Sequence, residues 1–525
     1  MRRFQGPRRR LAPALPRVRA SVVGVSLVVL GQPAHAANWF FEAGLRAEVT
    51  ATTNAGFEAA GVREDDLIFV LAPTFVVRGE GRRLRVAGSA ALAGVTYLNG
   101  TQESSFSPVG RLTANLEAIE RWFYVDAELA ATRSLDNPLG PRPDGVSSLN
   151  RLSTRTVRVS PYIDRALPND VQLRLRSDNS WTDTTGGTLA RGSRYAVRHT
   201  FSLSRDPRPF GWALEAERSD ERSESGADTV PAIDVARGRL RYAFGGQFAF
   251  GVRGGAERSR LFVDNQTISF WGAEVQWRPS ERTQLDGFWE DRSFGAGWQA
   301  SFTHRSPFVA WNLRTSRDFT SFAQSFIEIP ATGDLAALLD AALRTRIADP
   351  IERSRAVEDF INSRGLPRAL PGPVSVFSDQ VVVRSARTGT VTFIGTRSTL
   401  ALTAYSQRDS SPRGSTFAVL TGPATQLQQQ GASIAYSLRL SALSSAAASA
   451  TWSRTHDDTG ASVPGGLAPG ATAGDSRQQT YRLQLDRRLA PYTTGFIGGR
   501  HQRIDSDAVA DARENAVFAG LAHRF

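Results

Sequence analysis

The sequence predicts an all-β fold, a transmembrane antiparallel β-barrel of roughly 18–24 strands with a helical insertion. Three observations predict it: segments that alternate apolar and polar residues, connections that alternate between short and long, and a final alternating segment that ends in an aromatic residue. Because side chains two residues apart share a face of a strand, such alternation gives each strand one apolar and one polar face. Those faces suit lipid on one side and a wet interior on the other.

The alternating segments recur along almost the whole chain. The first begins at Trp39, whose face continues with Phe41 and Val49, while Glu42 and Arg46 lie on the opposite face. Later segments repeat the pattern at 84–92, 112–118, 171–175, 195–203, 271–277, 432–440 and 481–485. Several carry tryptophan or tyrosine at their ends, where the rings favour the headgroup level of a bilayer. We therefore expect one barrel over residues 37–525 and an outward surface in contact with outer-membrane lipid.

The connections between these segments fall into two classes. Short ones at 120–121, 245–246, 279–280 and 490–491 suit tight hairpin turns. Long ones at 134–150, 177–192, 219–233 and 456–476 are polar and rich in glycine, proline, serine and aspartate. In outer-membrane barrels the short turns face the periplasm and the long loops face the outside.

Residues 1–36 predict a secretory signal peptide. Seven arginines and no acidic residue precede an apolar run at 20–30, and the small residues Ala34 and Ala36 then form an A-x-A cleavage site. We expect the mature protein to begin at Ala37. The apolar run is shorter than the ~20 residues of a membrane-spanning helix, which disfavours the alternative of a retained anchor. Together these features predict export to the outer membrane of a Gram-negative cell.

Charge and cysteine content argue against several classes of site. The chain has 63 basic and 51 acidic residues, and seven of the basic residues lie in the leader, which leaves 56 against 51 spread along the mature chain. This balance predicts no nucleic-acid partner. The absence of cysteine excludes disulfides, thiolate metal sites and a lipid-modified N-terminus.

The sequence shows no motif for catalysis, a cofactor or a metal. It has no G-x-S-x-G nucleophile motif, and it has no lysine for a phosphate-binding loop. The histidines after the leader are not at metal-binding spacing: His199, His304, His456, His501 and His523. We therefore expect no enzyme, although an outer-membrane hydrolase with a site at the rim, near His304, is an alternative.

Two acidic groups, Asp457–Asp458 and the set Asp505, Asp507 and Asp511, are candidate cation ligands. They lack the glycine and terminal glutamate of a calcium-binding loop. Solvated loop charge is the interpretation that we favour.

The last segment predicts a signal for the barrel assembly machinery. Alternate residues share one face and end in the terminal aromatic side chain: Val517, Ala519, Leu521, His523 and Phe525. Arg524 lies on the opposite, inward face. We expect this strand to close the barrel by pairing with the first strand, near 39–49.

Residues 331–372 depart from strand periodicity. Leu335, Leu338 and Leu339 have helical spacing, and Asp349–Pro350 resembles the start of a second helix that Gly365 and Pro367 would end. The sequence predicts a helical hairpin inserted between two strands. Two roles are open for it: a packed loop or periplasmic cap, or a plug or partner-docking element.

Three stretches resemble the outer-membrane protein family associated with the PEP-CTERM/exosortase system. They are N-R-L-S-T-R-T-V-R-V-S-P-Y at 150–162, D-P-I-E-R-S-R-A-V-E-D-F-I-N-S-R-G-L-P at 349–367 and G-T-R-S-T-L-A-L-T-A-Y-S at 395–406. The likeness extends over nearly the whole mature chain and includes the closing aromatic strand. It implies an outer-membrane barrel in a cell that makes exopolysaccharide and sorts proteins with a PEP-CTERM tail. The family supplies no catalytic motif.

We expect a pore or export channel, because a wide barrel with arginine and acidic residues on its inward faces conducts hydrated solutes. Exopolysaccharide or export components are the partners that this function would imply. The alternative is a structural or docking barrel that is closed by its helical insert and transports nothing.

Overall fold

The computed structural model describes residues 38–142, 150–186, 192–223, 232–259, 267–320, 381–412, 426–458, 474–507 and 509–525, with isolated positions between 321 and 380. The signal peptide and its cleavage site at Ala34, Ala36 and Ala37 lie outside the described residues. In the part of the chain that is described, no helix is long and apolar enough to cross a membrane.

The described chain is built from 22 strands and one 3-10 turn at Pro168–Asp170. The strands are β1 (Asn38–Thr52), β2 (Asp66–Glu80), β3 (Leu84–Tyr97), β4 (Ser105–Ile119), β5 (Phe123–Leu135), β6 (Arg151–Leu167), β7 (Val171–Thr185), β8 (Gly192–Arg205), β9 (Phe210–Ser223), β10 (Ile233–Phe244), β11 (Phe248–Ser259), β12 (Thr267–Ser280), β13 (Thr283–Arg292), β14 (Gly295–Arg305), β15 (Val309–Thr320), β16 (Val382–Ile394), β17 (Ser398–Ser410), β18 (Gln426–Arg439), β19 (Ser444–Asp457), β20 (Gly474–Ala490), β21 (Thr493–Ser506) and β22 (Ala512–Arg524). This count lies within the predicted range.

The strands form one closed antiparallel sheet. Each strand pairs with its neighbours in the sequence, and β22 returns to pair with β1 from Gly44 opposite Arg524 to Thr52 opposite Ala516. Closure leaves no strand edge unpaired, which a membrane requires because an unsatisfied backbone group in hydrocarbon costs several kcal/mol. The predicted pairing of the first and last strands is confirmed, with its register a few residues further along β1 than expected.

The faces of the strands also follow the sequence pattern. On β1, Trp39, Phe41 and Val49 are exposed on the outer surface, while Thr50 and Thr52 are buried on the inner one. Large apolar side chains are exposed all round the outside, on strands from β1 to β22. An outer surface of this kind is stable only against lipid, so the chain is a membrane-spanning barrel of the outer-membrane type.

The two rims differ in the length of their connections. At the rim that carries the N-terminal end of β1, here called the short-turn rim, consecutive strands are joined by two to four residues. At the opposite long-loop rim most connections are longer, and the segment between β15 and β16 covers 321–381. Most strands have 12 to 17 residues, against the ~9–11 that a bilayer needs. They therefore continue beyond the hydrocarbon at the long-loop rim.

The predicted helical hairpin at 331–372 is not seen among the described residues. It lies almost wholly outside them, and it stays a prediction. The strands that flank it, β15 and β16, end and begin at the long-loop rim, and both of its predicted roles stay predictions.

Inside the barrel, aromatic rings pack against glycines of neighbouring strands. A Cβ atom on Gly498 would lie 2.4 Å from the ring of Phe518, and one on Gly520 would lie 2.4 Å from the ring of Phe496. The missing side chains make room for the rings, which are themselves almost fully buried. This contact fixes the register of β21 and β22 next to the seam that closes the barrel.

Candidate functional site

The lumen is the candidate functional site, because the polar faces of the strands meet there. Its lining differs from one side to the other. The large inward side chains of β9–β13, here called the charged wall, are mostly arginine and glutamate. Those of β17–β21, here called the neutral wall, are mostly serine, threonine and glutamine.

The charged wall is organised around the carboxylate of Glu290 on β13, which is 0% exposed. Arg237 Nε lies 2.7 Å from Glu290 Oε1, and Arg253 Nε lies 2.8 Å from the same oxygen. Arg292 Nη1 lies 3.3 Å from Glu290 Oε2 and is therefore its third cationic neighbour. Three strands contribute these arginines, so one buried carboxylate ties β10, β11 and β13 together.

The network continues in both directions from this centre. Arg292 Nε reaches Glu257 Oε2 at 2.5 Å. On the other side, Glu274 lies 3.4 Å from both Arg239 and Arg241, and Arg239 also pairs with Glu215. Arginines and carboxylates are nearly equal in number here, and each cation has a carboxylate within pairing distance. Most of these ion pairs join residues of the charged wall to one another.

The neutral wall presents hydroxyl and amide groups instead. Beside three buried carboxylates, Asp409, Asp457 and Asp486, its buried polar side chains are Thr399, Thr403, Gln407, Gln429, Ser433, Ser437, Ser445, Ser453, Thr455, Ser476, Gln478 and Gln502. Such groups both donate and accept hydrogen bonds, as the hydroxyls of a carbohydrate do. They require no ionised partner.

The connection after β5 crosses the lumen to the neutral wall. Arg142 donates through its backbone N–H to Gln478 Oε1 at 2.9 Å, and Gln478 Nε2 donates back to the Arg142 carbonyl at 2.7 Å. Its guanidinium donates to Gln429 at 3.0 Å, to Thr455 at 2.8 Å and to the hydroxyl of Tyr405 at 3.4 Å. These residues belong to β17–β20, far across the barrel from β5. The loop therefore narrows the lumen.

Asparagines hold this loop in shape. The side chain of Asn150 accepts from the backbone of Asn137 and donates to the carbonyls of Asn137 and Pro141. Leu139, between them, is buried. The described part of the loop is thus held by side-chain hydrogen bonds, and Arg142 lies against the neutral wall.

A cavity of about 1200 Å³ lies beside the neutral wall. Its lining includes Arg142 and Gln478 at one end, and Leu443 and Tyr492 in the short turns at the other. It is larger than the ~300–1,000 Å³ of a typical small-molecule pocket. The cavity therefore runs from the inserted loop to the mouth at the short-turn rim.

Two described positions of the 321–381 segment also border this cavity. Ile361, which is 2% exposed, and Gly372 lie among its lining residues, and Leu339 and Val357 are buried as well. Part of this segment is therefore inside the barrel and not in external solvent.

The residues of the predicted assembly signal lie where the alternation placed them. Val517, Leu521 and Phe525 are exposed on the outer surface, Phe525 at 76%, while Arg524 points inward and lies 3.8 Å from Glu42. The backbone N–H of Phe525 donates to the carbonyl of Ala43 at 2.8 Å, which extends the β1–β22 seam by one residue. Recognition of this strand by assembly machinery stays a prediction.

Two of the histidines named in the sequence analysis make contacts with the neighbouring strand. His304 Nδ1 lies 2.7 Å from Thr283 Oγ1, and His523 Nδ1 lies 2.9 Å from Thr493 Oγ1, each pair joining neighbouring strands near the short-turn rim. His304 shares the outer face with its strand partner Trp311. It therefore faces the bilayer interface and not the lumen.

The acidic groups at the long-loop rim are engaged with neighbouring side chains or backbone. Asp458 lies 2.7 Å from His456, Asp505 lies 2.7 Å from Arg503, and Asp511 accepts from the backbone of Ser506. Among the described residues, no group of three histidine or acidic side chains is arranged to hold a metal ion.

No protein-family model matches the chain, and no curated protein matches it. Solved structures with a similar fold include the siderophore receptor PirA from Acinetobacter baumannii, with a TM-score of 0.48 and 9% identity over 92% of this chain and 80% of that one. Others are OpdK from Pseudomonas aeruginosa (TM-score 0.34, 8% identity, 92% and 99% of the two chains) and a loop-deleted OmpT from Vibrio cholerae (0.30, 9%, 93% and 100%). At these values the likeness concerns barrel shape and identifies no solute.

Proposed function

We propose that this protein is a channel of the Gram-negative outer membrane that passes polar, carbohydrate-like solutes. The observation that carries the proposal is the cavity beside the neutral wall. Its lining includes hydroxyl and amide groups of that wall together with arginines, and it reaches the mouth at the short-turn rim. A neutral solute can exchange its hydrogen bonds with water for hydrogen bonds with such a wall. No ion pair has to be broken for it to move.

The direction of the cavity favours export. In outer-membrane barrels the short-turn rim faces the periplasm. The cavity reaches that rim at Leu443 and Tyr492, and Arg142 stands at its far end. A solute that arrives from the periplasm therefore meets the neutral wall before it meets the loop. Exopolysaccharide chains of envelope biogenesis are the cargo that we propose, in keeping with the sequence resemblance.

Purified protein in planar bilayers tests the channel function. We expect discrete conductance steps, and a transient decrease of current when a neutral oligosaccharide such as maltohexaose is added on the side of the short-turn rim. A closed membrane with folded protein, shown by heat-modifiable migration on a gel, would contradict the proposal.

One observation favours a second function, a barrel closed by its own insert: Ile361 is buried and borders the cavity. Deletion of 334–363 separates the two functions. If the wild type conducts, the channel is supported. If only the deletion variant conducts, the segment is a plug and the native barrel is a structural or docking protein. We propose no catalytic role for the chain.

A further inference from the structure

We propose that the cavity selects anionic solutes by means of a row of arginines, here called the arginine track, an inference that rests on the proposed channel function. Its members are Arg142, Arg482, Arg46, Arg488, Arg439 and Arg524, and all six line the cavity. The solute class is a polar molecule that carries carboxylate, phosphate or sulfate groups, such as an acidic saccharide.

The arginines are spread along the length of the cavity. Arg142 is held at the far end by the outer parts of β18–β20. Arg482 and Arg46 lie near the middle of β20 and β1. Arg488 and the strand-terminal Arg439 and Arg524 lie at the short-turn rim. An anion can therefore pass from one cation to the next along the whole cavity.

The charges of the track are not balanced as those of the charged wall are. Six arginines line the cavity, whereas its acidic lining residues are Glu42 and Asp486. Adding Glu48, which lies 2.6 Å from Arg46, gives three carboxylates against six arginines among the described residues. On the charged wall, five arginines pair with four glutamates and with Asp318. Among the described residues, the arginines that line the cavity therefore outnumber its carboxylates, which those of the charged wall do not.

Arg142 is the residue that defines the narrow end of the track. Its guanidinium contacts are with the neutral oxygens of Gln429, Thr455 and Tyr405, and none of the ion pairs between described residues involves it. Neutral acceptors fix its position without cancelling its charge. A guanidinium held in this way suits the planar, bidentate recognition of a carboxylate or phosphate.

The test is the reversal potential of single channels in a KCl gradient. We expect the wild type to pass chloride in preference to potassium. Arg142→Gln should lower the chloride-to-potassium permeability ratio by about fivefold, the factor for one charge at about 4 Å in water. Arg142→Lys should keep the ratio, and the control Arg397→Gln in an exposed short turn, with the same change of net charge, should leave it unchanged.

Citrate serves as a polyvalent anionic probe. Added at millimolar concentration from the short-turn rim, it should block the wild type and the Arg397→Gln control, and should block Arg142→Gln at least fivefold more weakly. Arg482→Gln changes an arginine of the track that lies away from the loop. Its permeability ratio serves as the test if Arg142→Gln fails to fold. Conducting channels whose permeability ratio is the same in the wild type, Arg142→Gln and Arg482→Gln would overturn the arginine track while leaving the channel function intact. No conductance in any folded variant would instead refute the channel.

Discussion

The two walls of the lumen are built from strands of the same kind and differ only in the side chains that face inward. On the charged wall, Arg237, Arg253 and Arg292 converge on Glu290, so that each charge is satisfied by a neighbour in the wall. On the neutral wall, side chains such as Gln429 and Gln478 are used to hold a loop, and a cavity runs beside them. Ion pairs between its own strands hold the charged wall together. The neutral wall faces the cavity, through which a solute would move on the proposed function.

This contrast teaches that polar character alone does not identify the transport surface of a barrel. An alternating strand with inward arginine and glutamate looks more suited to ions than one with serine and threonine. In the folded barrel the strands with serine and threonine are the better suited to a moving solute. The reason is that the buried ion pairs of the other strands are costly to separate and hold those strands together. On the proposed channel function, the transport surface is the wall whose polar groups can exchange hydrogen-bond partners.

Glu290→Ala should have the largest effect on stability, because it leaves three arginines without their common partner. We expect a loss of about 3–5 kcal/mol in the free energy of unfolding. Urea unfolding in lipid vesicles, followed by tryptophan fluorescence, measures it. Glu281→Ala, in an exposed short turn, is the matched control and should change stability little. A loss of less than about 1 kcal/mol for Glu290→Ala would mean that the network does not hold the charged wall together.

Phe525→Asp should affect both walls equally, because both depend on closure at the β1–β22 seam. We expect less folded barrel in the outer membrane and more proteolysis in the periplasm, measured as the heat-modifiable fraction on a gel. Phe308→Asp, an exposed aromatic residue in a short turn away from the seam, is the control. Equal folded fractions in the two variants would show that Phe525 is an ordinary terminal residue.

Thr403→Val should have the smallest effect. It removes one hydroxyl from the neutral wall, whose oxygen lies 3.3 Å from that of Thr390, and it keeps the shape of the side chain. We expect a loss of about 1 kcal/mol, as for one neutral hydrogen bond. The same urea measurement checks it. A loss as large as that of Glu290→Ala would show that the two walls do not differ in the way described.

Much of this architecture could be predicted from the sequence, because the faces of a strand depend only on alternation. The outward positions on β1, β8, β12 and β22 were predicted correctly. The ends of the strands were not: 177–185 and 219–223 were assigned to loops and belong to β7 and β9. Beyond the hydrocarbon both faces of a strand meet water, so the polar residues there lose the alternation that marks a strand.

The candidate site itself could not be predicted, because it depends on contacts between distant segments. Arg142 and Gln478 are 336 residues apart and meet only when the barrel closes and the loop after β5 turns inward. Nothing in the local sequence of either residue indicates the other. The pairing of Glu290 with arginines from three strands could not be predicted either, because the register of the strands across the sheet decides which side chains meet.

Thiol labelling tests the difference between the walls most directly, because the chain has no cysteine of its own. Ser449→Cys places a thiol on an inward position that lines the cavity, and Ser219→Cys places one on a buried inward position of β9. With folded protein in vesicles, a membrane-impermeant anionic methanethiosulfonate should modify Ser449→Cys rapidly and Ser219→Cys at least tenfold more slowly. Equal rates at the two positions, or modification of Ser219→Cys alone, would contradict a lumen in which the neutral wall faces the solute path and the charged wall is closed on itself.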